Sequence, residues 1–335
     1  MKAIFKIFIN KLYGKFNGKL FAYASIPGSW VALFYVLMKK KKNQIILLPT
    51  NAIGDTLYAM SFLDSLESYA NQNHMHLFVY ASDRYKTILD TYPILNKNVV
   101  FIKHLGFKHL LLLTLTAASA PKSVVVAAKK RIYSLNPPSY GDYIPEDIKG
   151  VRNLLSYIMD VPTEPISYHS QPTVKIVSID DFDRKKDRIC IVNPYSQSMA
   201  FSESLFEKIC MELKNKNFIV YTNIVGNQKE IKGTFPLRCN IEELYTIACK
   251  IPLVVSIRSG ILDYLIPSNV NMYVVYETWK GAFNAVDPLN IAKHCSLKEW
   301  QPKGLVQEVY MEKESDESKI LYELDEYLNK LNLDV

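Results

Sequence analysis

Asp55 is the carboxylate best placed to act as a base. It follows Ile45–Pro49, an apolar run that reads as a strand, and it precedes a helical pattern over 56–70. A residue at such a turn meets helix N–H groups that have no intrahelical partner. Asp55 can therefore cap the helix or, in a crevice, accept a proton from a hydroxyl; both readings stand. Gly54 permits the turn, and Asn51 supports the same loop. A second string, Ile189–Phe206, runs from an apolar strand through Asn193-Pro194 and a polar loop into a helix near Ser202. Ser202 is its natural N-cap, with Glu203 in the first turn. In a third string, Arg258-Ser259-Gly260 opens a helix that Pro267 closes. The start of a helix offers free N–H groups and partial positive charge to an anion. Gly260 lets backbone approach closely, and Arg258 could clamp a phosphate through two parallel bonds. The alternative is that Ser259 merely caps the helix while Arg258 forms a surface ion pair.

These turns need a scaffold that repeats strand and helix. Short apolar runs at Ile45–Pro49, His76–Tyr80, Val99–Ile102 and Ser123–Ala127 alternate with helical patterns at 56–70, 84–90 and 105–119. After a proline-interrupted stretch at 137–188, with a helix near 150–159, the alternation resumes. Strands are expected at Arg188–Asn193, Phe218–Thr222, Leu253–Ser256 and Met272–Tyr276, and helices at 202–215, 241–249 and 260–266. A terminal amphipathic helix over 315–331 places Ile320, Leu324, Tyr327, Leu328 and Leu331 on one face. Alternation of this kind means parallel sheets covered by helices. The expected fold is α/β, two Rossmann-like domains whose ligands bind beyond the carboxyl ends of the strands, across a central cleft. The expected divisions are a basic hydrophobic membrane-associating segment at 1–43, a first domain at 44–170, a second at 171–312 and the terminal helix at 313–335.

The three strings, in this order, resemble the bacterial heptosyltransferases, glycosyltransferase family 9, a GT-B family. The resemblance covers roughly 44–280. It implies that Asp55 is the catalytic base, and that Ser196 and Ser198 meet a nucleotide diphosphate in the loop after Pro194. It also implies that Arg258, Ser259, Gly260 and Asp263 line the donor site. Asn51 and Gly54 would support the base or the acceptor. Three departures stand out. Ser61 replaces a common proline, and no Lys or Arg lies between Arg188 and Lys208. Arg258 and Asp263 stand where the family has an acid and a histidine. The implied activity is inverting transfer of a sugar from a nucleotide-diphosphate donor to a membrane-associated saccharide acceptor, of the lipopolysaccharide, capsule or related kind. No metal or other cofactor is implied.

Charge supports a membrane rather than a nucleic-acid partner. The chain of 335 residues carries +7, yet nine lysines fall within residues 1–42, which hold no Asp, Glu or Arg, leaving −2 for the rest. A nucleic-acid protein needs a basic folded face instead. Ile4, Phe5, Phe8, Ile9 and Leu12 form an apolar stripe beside Lys2, Lys6 and Lys11, suited to anionic lipid. Residues 20–38 lack charge but are broken by Pro27-Gly28. A surface hairpin, one membrane-spanning helix and a buried helix remain open. Five scattered cysteines without a CxxC pair fit a reducing compartment, so the expected location is the cytoplasmic face of the plasma membrane.

Two alternatives stay open. One is a catalytically degenerate GT-B scaffold within a glycan assembly complex. The other is a metal-dependent GT-A enzyme using Asp181 and Asp183, though that pair opens into a charged linker. His74 with His76, and His104 with His109, lack the companions of a zinc site. No GxSxG, Walker A or GxGxxG string is present.

Overall fold

The computed structural model describes residues 44–48, 57, 62–90, 99–103, 130–134, 153, 156, 161–162, 188–196, 199, 202–280, 285–300 and 302–331. Residues 1–43, the strand expected at Ser123–Ala127, the helix at 105–119, and Asn51, Gly54, Asp55, Asp181, Asp183 and Ser198 lie outside this set. The chain forms two compact units, and Pro172–Lys280 with Ala285–Val335 belong to the second.

The first unit holds β1 (Gln44–Leu48), α1 (Leu63–Gln72), β2 (His76–Ser82), α2 (Lys86–Leu89), β3 (Val99–Ile102) and β4 (Lys130–Ser134). Its parallel sheet has the order β3-β2-β1-β4. Helix α1 buries Leu63, Leu66 and Ala70, a spacing of three to four residues that gives one apolar stripe. The strand paired with β1 on its far side is Lys130–Ser134, which its basic start conceals in the sequence.

The second unit holds β5 (Ile189–Asn193), α3 (Glu203–Asn215), β6 (Ile219–Asn223), β7 (Phe235–Leu237), α4 (Ile241–Ala248), β8 (Leu253–Ile257), α5 (Gly260–Leu265) and β9 (Asn271–Glu277). It continues with the short hairpin β10 (Trp279–Lys280) and β11 (Ala285–Val286), then α6 (Pro288–Cys295), β12 (Val306–Met311) and α7 (Glu317–Lys330). The main sheet is parallel, in the order β12-β9-β8-β5-β6-β7. Every residue of β5 and β8 is buried. Runs rich in Ile and Val of this kind suit interior strands covered on both faces.

On one face, Leu205, Phe206, Ile209, Cys210 and Leu213 of α3 join Val192, Val220 and Val255 in an apolar cluster with Ile320, Leu324 and Tyr327 of α7. Ile191, Val254 and Val274, at alternate positions, are buried as well. Local signals start and stop these helices. Ser202 caps α3 by accepting from the Leu205 amide at 3.3 Å, and Asn240 with Glu243 forms a capping box on α4. Helix α3 ends where Asn217 adopts φ 62. The Phe218 amide then bonds the Leu213 carbonyl and the Asn217 amide the Lys214 carbonyl, which satisfies end carbonyls and turns the chain into β6. Lys208–Glu317 and Lys216–Asp325 tie α3 to α7.

Candidate functional site

The order of the second sheet decides where a ligand can lie. From β5 the chain builds outward through β6 and β7, then returns to the other side of β5 for β8, β9 and β12. The crossovers leave β5 and β8 in opposite directions, so a crevice opens beyond their carboxyl ends. Register pairs Asn193, the last residue of β5, with Ser256 of β8. The strings Asn193–Ser196 and Arg258–Gly260, far apart in sequence, therefore meet at this switch point.

A chain of neutral polar groups crosses three strand ends. The Asn223 amide donates to Asn193 Oδ1 at 3.0 Å. Asn193 Nδ2 in turn reaches Ser256 Oγ at 3.0 Å and Ser259 Oγ at 3.2 Å. The Ser256 hydroxyl lies 3.0 Å from the Asn193 carbonyl and 2.6 Å from that of Ile257. Asn193, Asn223 and Ser256 are buried, where an unmade hydrogen bond would cost about 1–3 kcal/mol. Ser259 is half-buried and occupies the N-cap position of α5, but its side chain caps nothing. Its oxygen instead accepts from Asn193, which leaves its proton directed away from that amide. Helix α5 has only six residues, so its dipole is slight and a ligand here must rely on individual N–H and O–H donors. Ser196 is also half-buried, and beside it the Tyr195 hydroxyl donates to the Lys229 carbonyl at 2.6 Å.

A charged cluster meets the Ser259 carbonyl. Arg258 Nη1 and Nη2 reach Asp263 Oδ2 and Oδ1 at 3.0 and 2.7 Å. The same guanidinium donates from Nη1 to the Ser259 carbonyl at 2.7 Å and from Nε to the Cys295 carbonyl at 3.1 Å. Neither side chain is on the surface: Arg258 is 4% exposed and Asp263 3%. The surface ion pair weighed in the sequence is thus an ion pair, but a buried one. The phosphate clamp expected of Arg258 meets a guanidinium already committed to a carboxylate and two carbonyls. Burial pushes the Asp263 carboxyl up, and Arg258 pulls it back.

The cluster continues beyond Cys295. The Tyr276 hydroxyl lies 3.1 Å from the Cys295 carbonyl and 2.7 Å from Glu308 Oε1. Glu308 also accepts from the Leu297 amide at 2.8 Å and the Ser296 hydroxyl at 2.7 Å. Burial raises the Tyr276 phenol well above its ordinary value, so it remains a donor to that carboxylate.

Of the residues singled out from the sequence, the fold brings Ser259, Gly260, Arg258 and Asp263 together and sets the Ser196 loop on the neighbouring strand end. Asn193, Asn223, Ser256, Tyr276 and Glu308 were not singled out. Asn193 and Asn223 each end an apolar run, a usable signal, but their contact depends on strand order. Among the described residues, no cluster of His, Cys, Asp and Glu could hold a metal ion. Among the same residues, no helix is long and apolar enough to cross a membrane.

No family model matches the chain, and no curated protein matches it in sequence. Solved structures match its fold. A glycosyl transferase family 9 protein from Veillonella parvula DSM 2008 superposes with a TM-score of 0.50 at 11% identity, over 88% of this chain and 98% of that one. The E. coli ADP-heptose lps heptosyltransferase II gives 0.52 at 11% identity, over 87% and 98%. At such identity the likeness is one of fold: two sheet-containing α/β domains of the GT-B type. The GT-A alternative is corrected by this architecture.

Proposed function

We propose that this chain is a glycosyltransferase that moves a sugar from a nucleotide-diphosphate donor to a membrane-associated saccharide acceptor, in lipopolysaccharide, capsule or related glycan synthesis. The observation that carries the reading is the gathering of Asn193, Ser256 and Ser259 at the switch point of a parallel sheet. That is the place where open α/β sheets bind their ligands. The fold shared with a family 9 glycosyltransferase and an ADP-heptose lps heptosyltransferase supports it.

The leaving diphosphate would meet the Ser259 hydroxyl, the Gly260 N–H, and Ser196 and Ser198 in the loop after Pro194. Such donors act most strongly where charge develops. Asp55 would accept the proton of the acceptor hydroxyl as its oxygen bonds the anomeric carbon and the diphosphate departs with the electrons of the broken bond. Asn51 and Gly54 would hold the Asp55 loop. The lysines of residues 1–42 would keep the enzyme at an anionic membrane surface, on the cytoplasmic side.

The test is a panel of nucleotide sugars read by thermal shift, followed by transfer assays with Asp55→Asn. The variant is expected to bind donor normally and lose about 10²–10⁴-fold in rate. Near-normal turnover would remove Asp55 from the mechanism. One observation favours a second reading, a degenerate GT-B scaffold: the cation nearest the turn is already paired with Asp263. Stabilisation by no nucleotide sugar in the panel would select the scaffold.

A further inference from the structure

Arg258 lies one residue from the turn proposed to receive the diphosphate, and its side chain points elsewhere. Its guanidinium is bonded in two places to Asp263 and in one place each to the Ser259 and Cys295 carbonyls. Four of its five N–H groups are engaged in these bonds, and a bidentate clamp on an anion would have to displace a carboxylate or a carbonyl, leaving a buried group unpaired in a low dielectric. Seen from the crevice, the two opposite charges at 2.7 Å largely cancel.

The bond to the Ser259 carbonyl has a geometric consequence. A peptide is planar, and its C=O and N–H point in opposite directions. The Ser259 oxygen is drawn towards Arg258 Nη1 at 2.7 Å and also accepts from the Leu262 amide at 3.1 Å. The Gly260 N–H, in the same plane, is thereby aimed away from the guanidinium. Asn193 meanwhile donates to the Ser259 hydroxyl at 3.2 Å. The Arg258 amide donates to the Val275 carbonyl at 2.8 Å, so the residue is anchored to β9 as well as to α6.

We propose that Arg258, with Asp263 as its counter-ion, is a positioning residue that acts through the Ser259–Gly260 peptide and contributes no charge to the bound diphosphate. The inference rests on the reading of this turn as the diphosphate site.

Calorimetric titration of the full chain with ADP, UDP, GDP and CDP, and with the matching nucleosides, at two salt concentrations tests it. Wild type is expected to bind at least one diphosphate. Asp263→Asn should weaken that diphosphate about tenfold while leaving the nucleoside almost unchanged, and Asp263→Glu should recover part of the loss. Equal or tighter diphosphate binding by Asp263→Asn would make Arg258 a restrained ligand and overturn the assignment. Should Asp263→Asn fail to fold, the double variant Arg258→Gln with Asp263→Asn decides, because it strands no charge: weaker binding with an unaltered salt dependence supports positioning, and a flattened salt dependence overturns it. A wild-type protein that binds none of the four diphosphates overturns the proposed function itself, and this inference with it.

Discussion

Two polar clusters meet at Ser259, one at its hydroxyl and one at its carbonyl, and they are built from different chemistry. The one at the ends of β5, β6 and β8 is neutral, an amide–hydroxyl chain through Asn223, Asn193, Ser256 and Ser259. The one running into α6 and β12 is ionic, from Asp263 through Arg258 and the Cys295 carbonyl to Tyr276 and Glu308. The neutral cluster can lose a member and cost only the hydrogen bonds it made. The ionic cluster cannot, because removing one partner strands a buried charge. A site for an anion gains from the separation. In the proposed diphosphate site the neutral hydroxyl would meet the anion, while the paired charges would order the backbone of the turn.

The sharpest way to break that contrast is Arg258→Met. It leaves the Asp263 carboxylate buried without its cation and should destabilise the protein by about 3–5 kcal/mol, read as the shift in urea-induced unfolding. A loss below about 1 kcal/mol, the range of exposed pairs, would mean that the pair is solvated in solution. Glu308→Ala comes next. The Tyr276 hydroxyl, Ser296 hydroxyl and Leu297 amide lose their acceptor, for an expected cost of about 2–3 kcal/mol. Asn193→Ala should cost less, about 1–2 kcal/mol, as the neutral chain is cut at its centre. A cost equal to that of Arg258→Met would erase the distinction between the clusters. Smallest in stability is Ser259→Ala, at about 0.5–1 kcal/mol. Its effect should appear in diphosphate affinity instead, and equal loss of nucleoside affinity would argue against phosphate contact.

The interior strands of the sheets, and the apolar edge strand β3, were legible in the sequence, whereas the other edge strands were not. Strands β5, β8 and β9 were expected within a residue or two of their observed bounds, since strands buried on both faces are built mainly of apolar residues. The strands not expected were β4, β7, β12 and the two short strands β10 and β11, each at a sheet edge. Edge strands tolerate charge and proline. Lys130-Arg131 opens β4, Pro236 sits in β7, and Glu308 interrupts β12. Missing β12 meant missing Glu308, and with it the far end of the ionic cluster.

The candidate site divides in the same way. The Arg258-Ser259-Gly260 string could be found at a strand-to-helix turn because apolar runs, a small residue and Pro267 mark such turns locally. The direction in which Arg258 points could not be found. Its partners lie on α5, on the end of α6 and, through Tyr276, beside β12, and which of these comes within 3 Å of a guanidinium depends on how the strands are ordered.

Sequence by itself determined the alternation of strand and helix, the buried interior strands and the position of the polar turns, because hydrophobic periodicity and capping are local. Tertiary structure alone decided that Asn193 meets Ser259, and that Arg258 is enclosed with Asp263 rather than open to an anion. The physical reason is that burial and hydrogen-bond partnership are properties of a packed neighbourhood, which residues distant in the chain assemble together.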